Sequence, residues 1–240
     1  MKGRLALTGD LLEKLETCLV CKTCVVNCPA HVPVDKIVMA ARADYSANKG
    51  LRLTERLIFQ CLLPRRRLFG LLVRLASNVQ RLLPKSDLDG KIRHLPEFMS
   101  GLRRGRNIPL VADTFLRSRL PETVAPPEGV EKRAVVGFFA GCSMDYIYPD
   151  VAVNTVLFLA RQGVEVHFPK EQGCCGMGGS FSIYHPDLSE RIAQKKVDGI
   201  AASGADFVVS ACPGCLIQLN DILIKNGSPQ RAVHIMSLFE

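Results

Sequence analysis

The chain of 240 residues has no tryptophan, and aromatic residues make up only 6% of it. Base stacking is therefore poorly served, and nucleic acid is not an expected partner. There is no Walker loop, no GxGxxG fingerprint and no Ser-His-Asp arrangement; Gly176, Gly178 and Gly179 resemble a phosphate loop only weakly. No apolar run is long enough to span a bilayer, since LIFQCLLPRRRLFGLLVRLA is broken by Pro64 and three arginines. The opening MKGRLALTGDLLEKLE has no apolar h-region, so a secretory signal is not expected. A cytoplasmic location follows as an expectation, with peripheral attachment to the inner face of the cell membrane left open. The five histidines (His31, His94, His167, His185, His234) are scattered and read as surface or core residues rather than ligands.

Cysteine is what the chain has in quantity. Eight of the ten cysteines fall in tight groups, and Cys61 and Cys142 stand alone in the sequence. The groups have metal-ligand spacing, which favours thiolates on metal in a reducing compartment over five disulfides. Basic charge is also concentrated. Residues 62–106 hold eleven Lys/Arg and three Asp/Glu, a difference of +8 that equals the net charge of the whole chain. This stretch reads as a solvated helix face, or as a surface for an acidic partner subunit or an anionic membrane.

Three parts are expected: a helical 4Fe–4S ferredoxin-like domain over 1–48, a basic helical connector and linker over 49–130, and a cysteine-rich domain over 131–240. The connector closes in LPETVAPPEGVEKR, which reads as linker. In the last part AVVGFFAGC predicts a buried strand ending at Cys142, VEVHF a second, DFVVSAC a third ending at Cys212, and AVHIM a fourth. Helices are expected from Pro149, from Pro186 and from Cys215. The fold class is therefore α+β overall, closing in a three-layer α/β domain with a parallel sheet.

The first candidate site is Cys18-x2-Cys21-x2-Cys24-x3-Cys28-Pro29. Such spacing lets one loop wrap a cuboidal 4Fe–4S cluster, whereas zinc patterns usually separate two CxxC pairs by a longer loop. In two-cluster ferredoxins the fourth cysteine of such a run ligates the other cluster. Only one run is present, so either Cys28 bends back or a remote residue completes the set. Cys61, in an apolar helical setting, reads as a core thiol more readily than as that ligand. The second candidate site is Cys142, then Cys174-Cys175, then Cys212-Pro213-Gly214-Cys215. Each group follows a predicted strand, and ligand sites of parallel sheets gather at the strands' carboxyl ends. The five thiols should therefore converge on one metal site. Asp145, Tyr146 and Tyr148 would shape access to it.

FFAGCSMDYIYPDVA, KEQGCCGMGGSFSIYHPDLS, GADFVVSACPGCLIQL and VHIMSLFE resemble the cysteine-rich CCG domain. That domain occurs in the glycolate oxidase iron–sulfur subunit, in lactate-utilisation iron–sulfur proteins, in a component of anaerobic glycerol-3-phosphate dehydrogenase and in heterodisulfide reductases. TCLVCKTCVVNCPAHVPV looks like the second ferredoxin cluster of the same proteins. Full members carry two ferredoxin runs and two CCG domains; here there is one of each, as in a shortened member. The resemblance implies a 4Fe–4S cluster on Cys18, Cys21, Cys24 and Cys28. It implies a non-cubane 4Fe–4S cluster or zinc on Cys142, Cys174, Cys175, Cys212 and Cys215. It further implies electron transfer from a flavin-containing dehydrogenase subunit of a glycolate- or lactate-type enzyme towards a quinone or other acceptor. Heterodisulfide reductase-like thiol–disulfide chemistry and a zinc-stabilised interaction module are the alternatives, and no residue is assigned as catalytic.

Overall fold

The computed structural model describes residues 9–18, 20, 21, 23–49, 57–80, 109–177, 182 and 185–239. The N-terminal segment is helical: α1 (Gly9–Glu16), α2 (Thr23–Val26) and α3 (Val34–Lys49). A π-helical turn (Leu57–Leu62) and α4 (Arg66–Gln80) follow, then a single turn of helix, α5 (Leu116–Arg119). The remainder is built from β1 (Thr123–Val124), β2 (Ala134–Phe138), α6 (Gly141–Tyr146), α7 (Pro149–Arg161), β3 (Val164–His167), α8 (Pro186–Ala201), β4 (Phe207–Ser210), α9 (Pro213–Lys225) and β5 (Ala232–His234). A 3₁₀ turn (Ile235–Leu238) ends the described chain.

The five strands lie in the order β1-β3-β2-β4-β5. Four are mutually parallel, and β1 runs antiparallel to β3. Parallel strands buried on both faces read as continuous apolar runs, as AVVGF does. Side chains then alternate between two cores: Val209 packs with Val136, Phe138, Leu159 and Phe168, while Val208 packs with Val197, Leu219 and Leu223. On α7, Ala152, Val156, Leu159 and Ala160 form the buried stripe. Proline opens α7, α8 and α9, where its missing N–H costs no helix bond. Gly163 ends α7's turn at φ +84°, and a Cβ there would stand 2.4 Å from the Glu131 carbonyl oxygen. The mixed architecture is the one the sequence predicts.

Two strands end earlier than expected. β2 stops at Phe138, and Cys142 lies in α6. The Phe139 N–H makes the last ladder bond, to the Val209 carbonyl, and the ladder then runs out because the Ala140 N–H turns to Gln172 Oε1 at 2.7 Å. β4 stops at Ser210, so Cys212 is the residue before α9, and α9 begins at Pro213 rather than Cys215. The proline-rich stretch read as linker also carries a strand. Thr123 and Val124 pair with His167 and Val166, and the Phe168 N–H donates to the Glu122 carbonyl at 2.7 Å. A two-residue strand leaves no alternation to detect, yet it covers one edge of the sheet.

The basic middle is described only in part. Its residues 81–108, with most of the arginines and lysines, lie outside the described residues. Within α4, the outward face carries the exposed Arg67 and Arg74 and a row of apolar residues as well: Leu68, Leu71, Leu72, Leu75 and Val79 are 40–57% exposed. The inward face is held by polar groups. Gln80 exchanges two hydrogen bonds with the Val111 backbone, at 2.6 and 2.9 Å, and Arg66 pairs with Glu171 at 2.7 Å. Among the described residues, no helix is long and apolar enough to cross a membrane.

Candidate metal centre

From β2 the chain goes through α7 to β3 on one side, then crosses through α8 to β4 on the other side. Loops leaving neighbouring strands in opposite directions open a crevice at their carboxyl ends. Cys142, Cys174–Cys175 and Cys212–Cys215 all stand on loops or helix starts at that edge. Their thiols touch in series: Cys142 with Cys174, Cys174 with Cys175, Cys175 with Cys215, and Cys215 with Cys212. None is in a disulfide.

The acidities of the thiols shift in alternating directions along this series. Cys174 is pushed down to about 3 by the thiols of Cys142 and Cys175, helped by the Gly176 N–H at 3.3 Å and the Lys196 charge. Cys142 is pushed up by donating to Cys174 and by burial. Contact with Cys174 and Cys215, then burial, pushes up Cys175. Cys215 is lowered by Cys175 and then Cys212, while burial raises Cys212 first of all. Cys174 and Cys215 are thus each lowered by contact with two neighbouring thiols. Lys196, beside Cys174, is lowered mainly by its own burial.

Glycines and amides make this packing fit. Gly141 has φ +65°, and a Cβ on it would stand 2.9 Å from Cys215 Sγ. Gly176 has φ +88°, with the Ser189 carbonyl oxygen 2.6 Å from where its Cβ would be. Gln172 is buried and braces the cysteine-pair loop to β2, accepting from Ala140 N–H and donating to the Phe138 carbonyl at 2.9 Å. Ser189 Oγ donates to the Gly176 carbonyl at 2.8 Å and receives Gln218 Nε2 at 3.0 Å, tying the same loop to α8 and α9. Sequence reasoning missed Gln172, Ser189 and Gln218. Only the position of Gln172, two residues before the cysteine pair, gave any signal.

The donor set suits a soft metal centre: sulfur from three segments, with neither carboxylate nor imidazole in the series. Even so, among the described residues no three His, Cys, Asp or Glu side chains stand ready as a cage for a single ion. The thiols form a chain rather than a shell, so a metal would displace their protons and open their mutual contacts.

The other run is built differently. Cys18 follows α1, Cys21 and Cys24 are exposed, and Cys28 follows α2. Cys21 Sγ lies 3.3 Å from Thr23 Oγ1, a contact that lowers its pKa. Val20 (φ 55°) and His31 (φ 50°) adopt left-handed backbone, which costs a non-glycine residue roughly 1–2 kcal/mol. The loop is held in part by buried Arg42, which donates from α3 to the carbonyls of Leu15 and Cys18, the latter at 2.6 Å. Arg42 was not singled out by the sequence. Cys61 is half-buried in the π-helical turn, where its carbonyl accepts from Arg65 Nη1 at 3.2 Å.

Asp145 and Tyr146 are buried, and Arg117 bonds both, while Tyr148 is 49% exposed. The described histidines have other roles. His167 meets Glu165 and the Ser203 carbonyl, His185 contacts Ser46, and His234 caps the last turn. His94 lies outside the described residues.

Residues 136–220 match the family described as Cysteine-rich domain, CCG. The chain is 28% identical over 218 residues to a probable glycolate oxidase iron-sulfur subunit of Bacillus subtilis, covering 86% of this chain and 47% of the relative. It is 32% identical over 111 residues to lactate utilization protein A of Macrococcus caseolyticus, covering 46% and 45%. It is 37% identical over 108 residues to lactate utilization protein A of Bacillus cytotoxicus, covering 45% of each. The chain thus spans about half the length of the curated relatives it matches. No solved structure matches it. The thiols gathered at the sheet edge thus lie within the stretch that matches the cysteine-rich CCG family, in a chain similar over part of its relatives' length to a glycolate oxidase iron–sulfur subunit and to lactate utilization protein A.

Proposed function

We propose that the chain is an iron–sulfur electron-transfer subunit of a flavin-dependent 2-hydroxy-acid dehydrogenase complex of the glycolate or lactate type. The supporting observation is the pairing of two all-cysteine sites of different construction, one a ferredoxin-type loop and one a five-thiol sheet edge. Cys18, Cys21, Cys24 and Cys28 would hold a 4Fe–4S cluster. Cys142, Cys174, Cys175, Cys212 and Cys215 would hold a second cluster, non-cubane 4Fe–4S in this reading. Such groups supply one-electron transfer when bound. The protein's own contribution is to shed thiol protons, exclude water from Cys175 and Cys215, and fix the loops through Gln172 and Ser189.

Anaerobic purification followed by iron, sulfide and zinc quantitation tests the reading. Iron and sulfide at both sites support it. Zinc alone at the C-terminal site would favour the zinc-stabilised interaction module. A second reading, thiol–disulfide reduction at the C-terminal site, is favoured by the half-buried Cys174 thiolate. Reduction of a mixed disulfide, lost in Cys174→Ser, would select it.

In this reading the chain is cytoplasmic, and the leucine face of α4 docks on the flavin-containing dehydrogenase subunit, with a quinone-linked acceptor downstream. Association that resists salt and is lost in Leu72→Ser with Leu75→Ser would support this docking. Salt-sensitive binding to anionic vesicles instead would mark α4 as a peripheral membrane contact.

A further inference from the structure

Beside the cysteine edge, α4, α5 and α6 enclose a cavity of about 370 Å³, within the range of small-molecule sites. Four guanidiniums line it: Arg66, Arg67, Arg74 and Arg117. Two of them have acidic partners, Arg66 with Glu171 and Arg117 with buried Asp145. The other two, Arg67 and Arg74, have none among the described residues, and Arg74 lies over the Phe115 ring at 5.5 Å. Arg66 also keeps its Nε buried without a hydrogen-bond partner. Arg67 and Arg74 are thus two neighbouring guanidiniums that an anion would offset, and the guanidinium fork matches a carboxylate in two-point contact.

The walls carry the second half of the recognition. Phe115 and Tyr146 meet edge to face, with ring centroids 4.9 Å apart, and Leu71 lies alongside. A bare, fully hydrated inorganic anion gains nothing from such walls; a flat apolar body does. We propose that this cavity binds an aromatic carboxylate, its ring against Phe115 and Tyr146 and its carboxylate met by Arg67 and Arg74. The site is next to the thiols: Tyr146 is one helical turn after Cys142, and the Arg66 stem lies 4.0 Å from where a Cβ of Gly173 would stand. The proposal goes beyond the electron-transfer reading and does not depend on it, because its test reads binding alone.

The probe is 2-naphthoate, titrated calorimetrically into the full chain, with uncharged 2-naphthamide as its control. One saturable site is expected, with the amide bound about tenfold more weakly or worse, the loss of one charge-assisted hydrogen bond. Arg74→Gln, an exposed position, should weaken naphthoate by about tenfold for the same reason. Gly70→Leu, which puts a side chain into the cavity, should abolish binding. Should Gly70→Leu lose its helical circular dichroism, Arg74→Gln and Arg67→Gln decide the matter, since both side chains are at the surface. Equal binding of acid and amide, unchanged affinity in both arginine variants, or no saturation would overturn the proposal.

Discussion

The N-terminal and C-terminal cysteine sites use the same side chain and almost nothing else in common. The first is contained in residues 18–28, on and around the single turn of α2 between α1 and α3, with two of its four cysteines exposed. The second draws on residues 142–215 and exists only where a parallel sheet brings three loop regions together. Local spacing builds the former; topology builds the latter. The first should therefore survive damage to the sheet, and the second should fail with it.

Leu159→Ala gives the largest separation. Leu159 is fully buried between α7 and the sheet, and truncation there should cost about 2–5 kcal/mol. Metal at the C-terminal site should fall sharply while iron at the N-terminal run is kept. Chemical denaturation with site-resolved iron analysis measures this, and parallel loss at both sites would break the comparison. Gly141→Ala comes next. It puts a methyl group 2.9 Å from Cys215 Sγ at a left-handed position, which should cost about 1–3 kcal/mol. C-terminal metal should decrease and the N-terminal signal should not change.

The converse effect is smaller in stability and larger in lability. With Cys142, Cys174, Cys175, Cys212 and Cys215 replaced, brief air exposure should convert an N-terminal 4Fe–4S cluster to 3Fe–4S, seen by low-temperature EPR. A cluster that stays intact would mean the ligand set is completed, and Cys28→Ser compared with Cys61→Ser would identify by which residue. The smallest effect concerns neither site. On β3, His167 at 3.0 Å and then Lys132 at 3.1 Å hold the Glu165 carboxyl below its usual range. A carboxyl lowered on folding stabilises above its unfolded pKa of about 4.3 and loses that contribution as pH falls through the folded value. Urea midpoints at neutral and acid pH should differ slightly less in Glu165→Gln, with metal content unaffected at either site.

Much of this molecule was legible in its sequence, unevenly. The helix starts at Pro149 and Pro186 and the parallel core strands were readable because proline and continuous apolar runs act locally. The end of β2 was not, because Ala140 leaves the ladder for Gln172 on the cysteine-pair loop. The thiols' meeting place followed from strand order, but their proton sharing depends on packing that spacing does not encode. The brace at Gln172 and the clamp at Arg42 were invisible for the same reason: each joins segments remote in sequence. On helix α4, counting arginines did not show that Arg66 would pair inward with Glu171 while Arg67 and Arg74 stay exposed.

That helix has a thermal consequence. Its attachment consists of hydrogen bonds from Gln80, an ion pair from Arg66 and a ring contact from Phe69 to Tyr146, while its leucines remain outside. Lifting α4 off the domain would uncover the rings of Phe69, Phe115 and Tyr146 but not the leucine row, so this opening should have a smaller heat-capacity change than one in which the leucines were packed inside. Covering the leucine row would do the opposite, and calorimetry of any such association should return a large negative heat-capacity change.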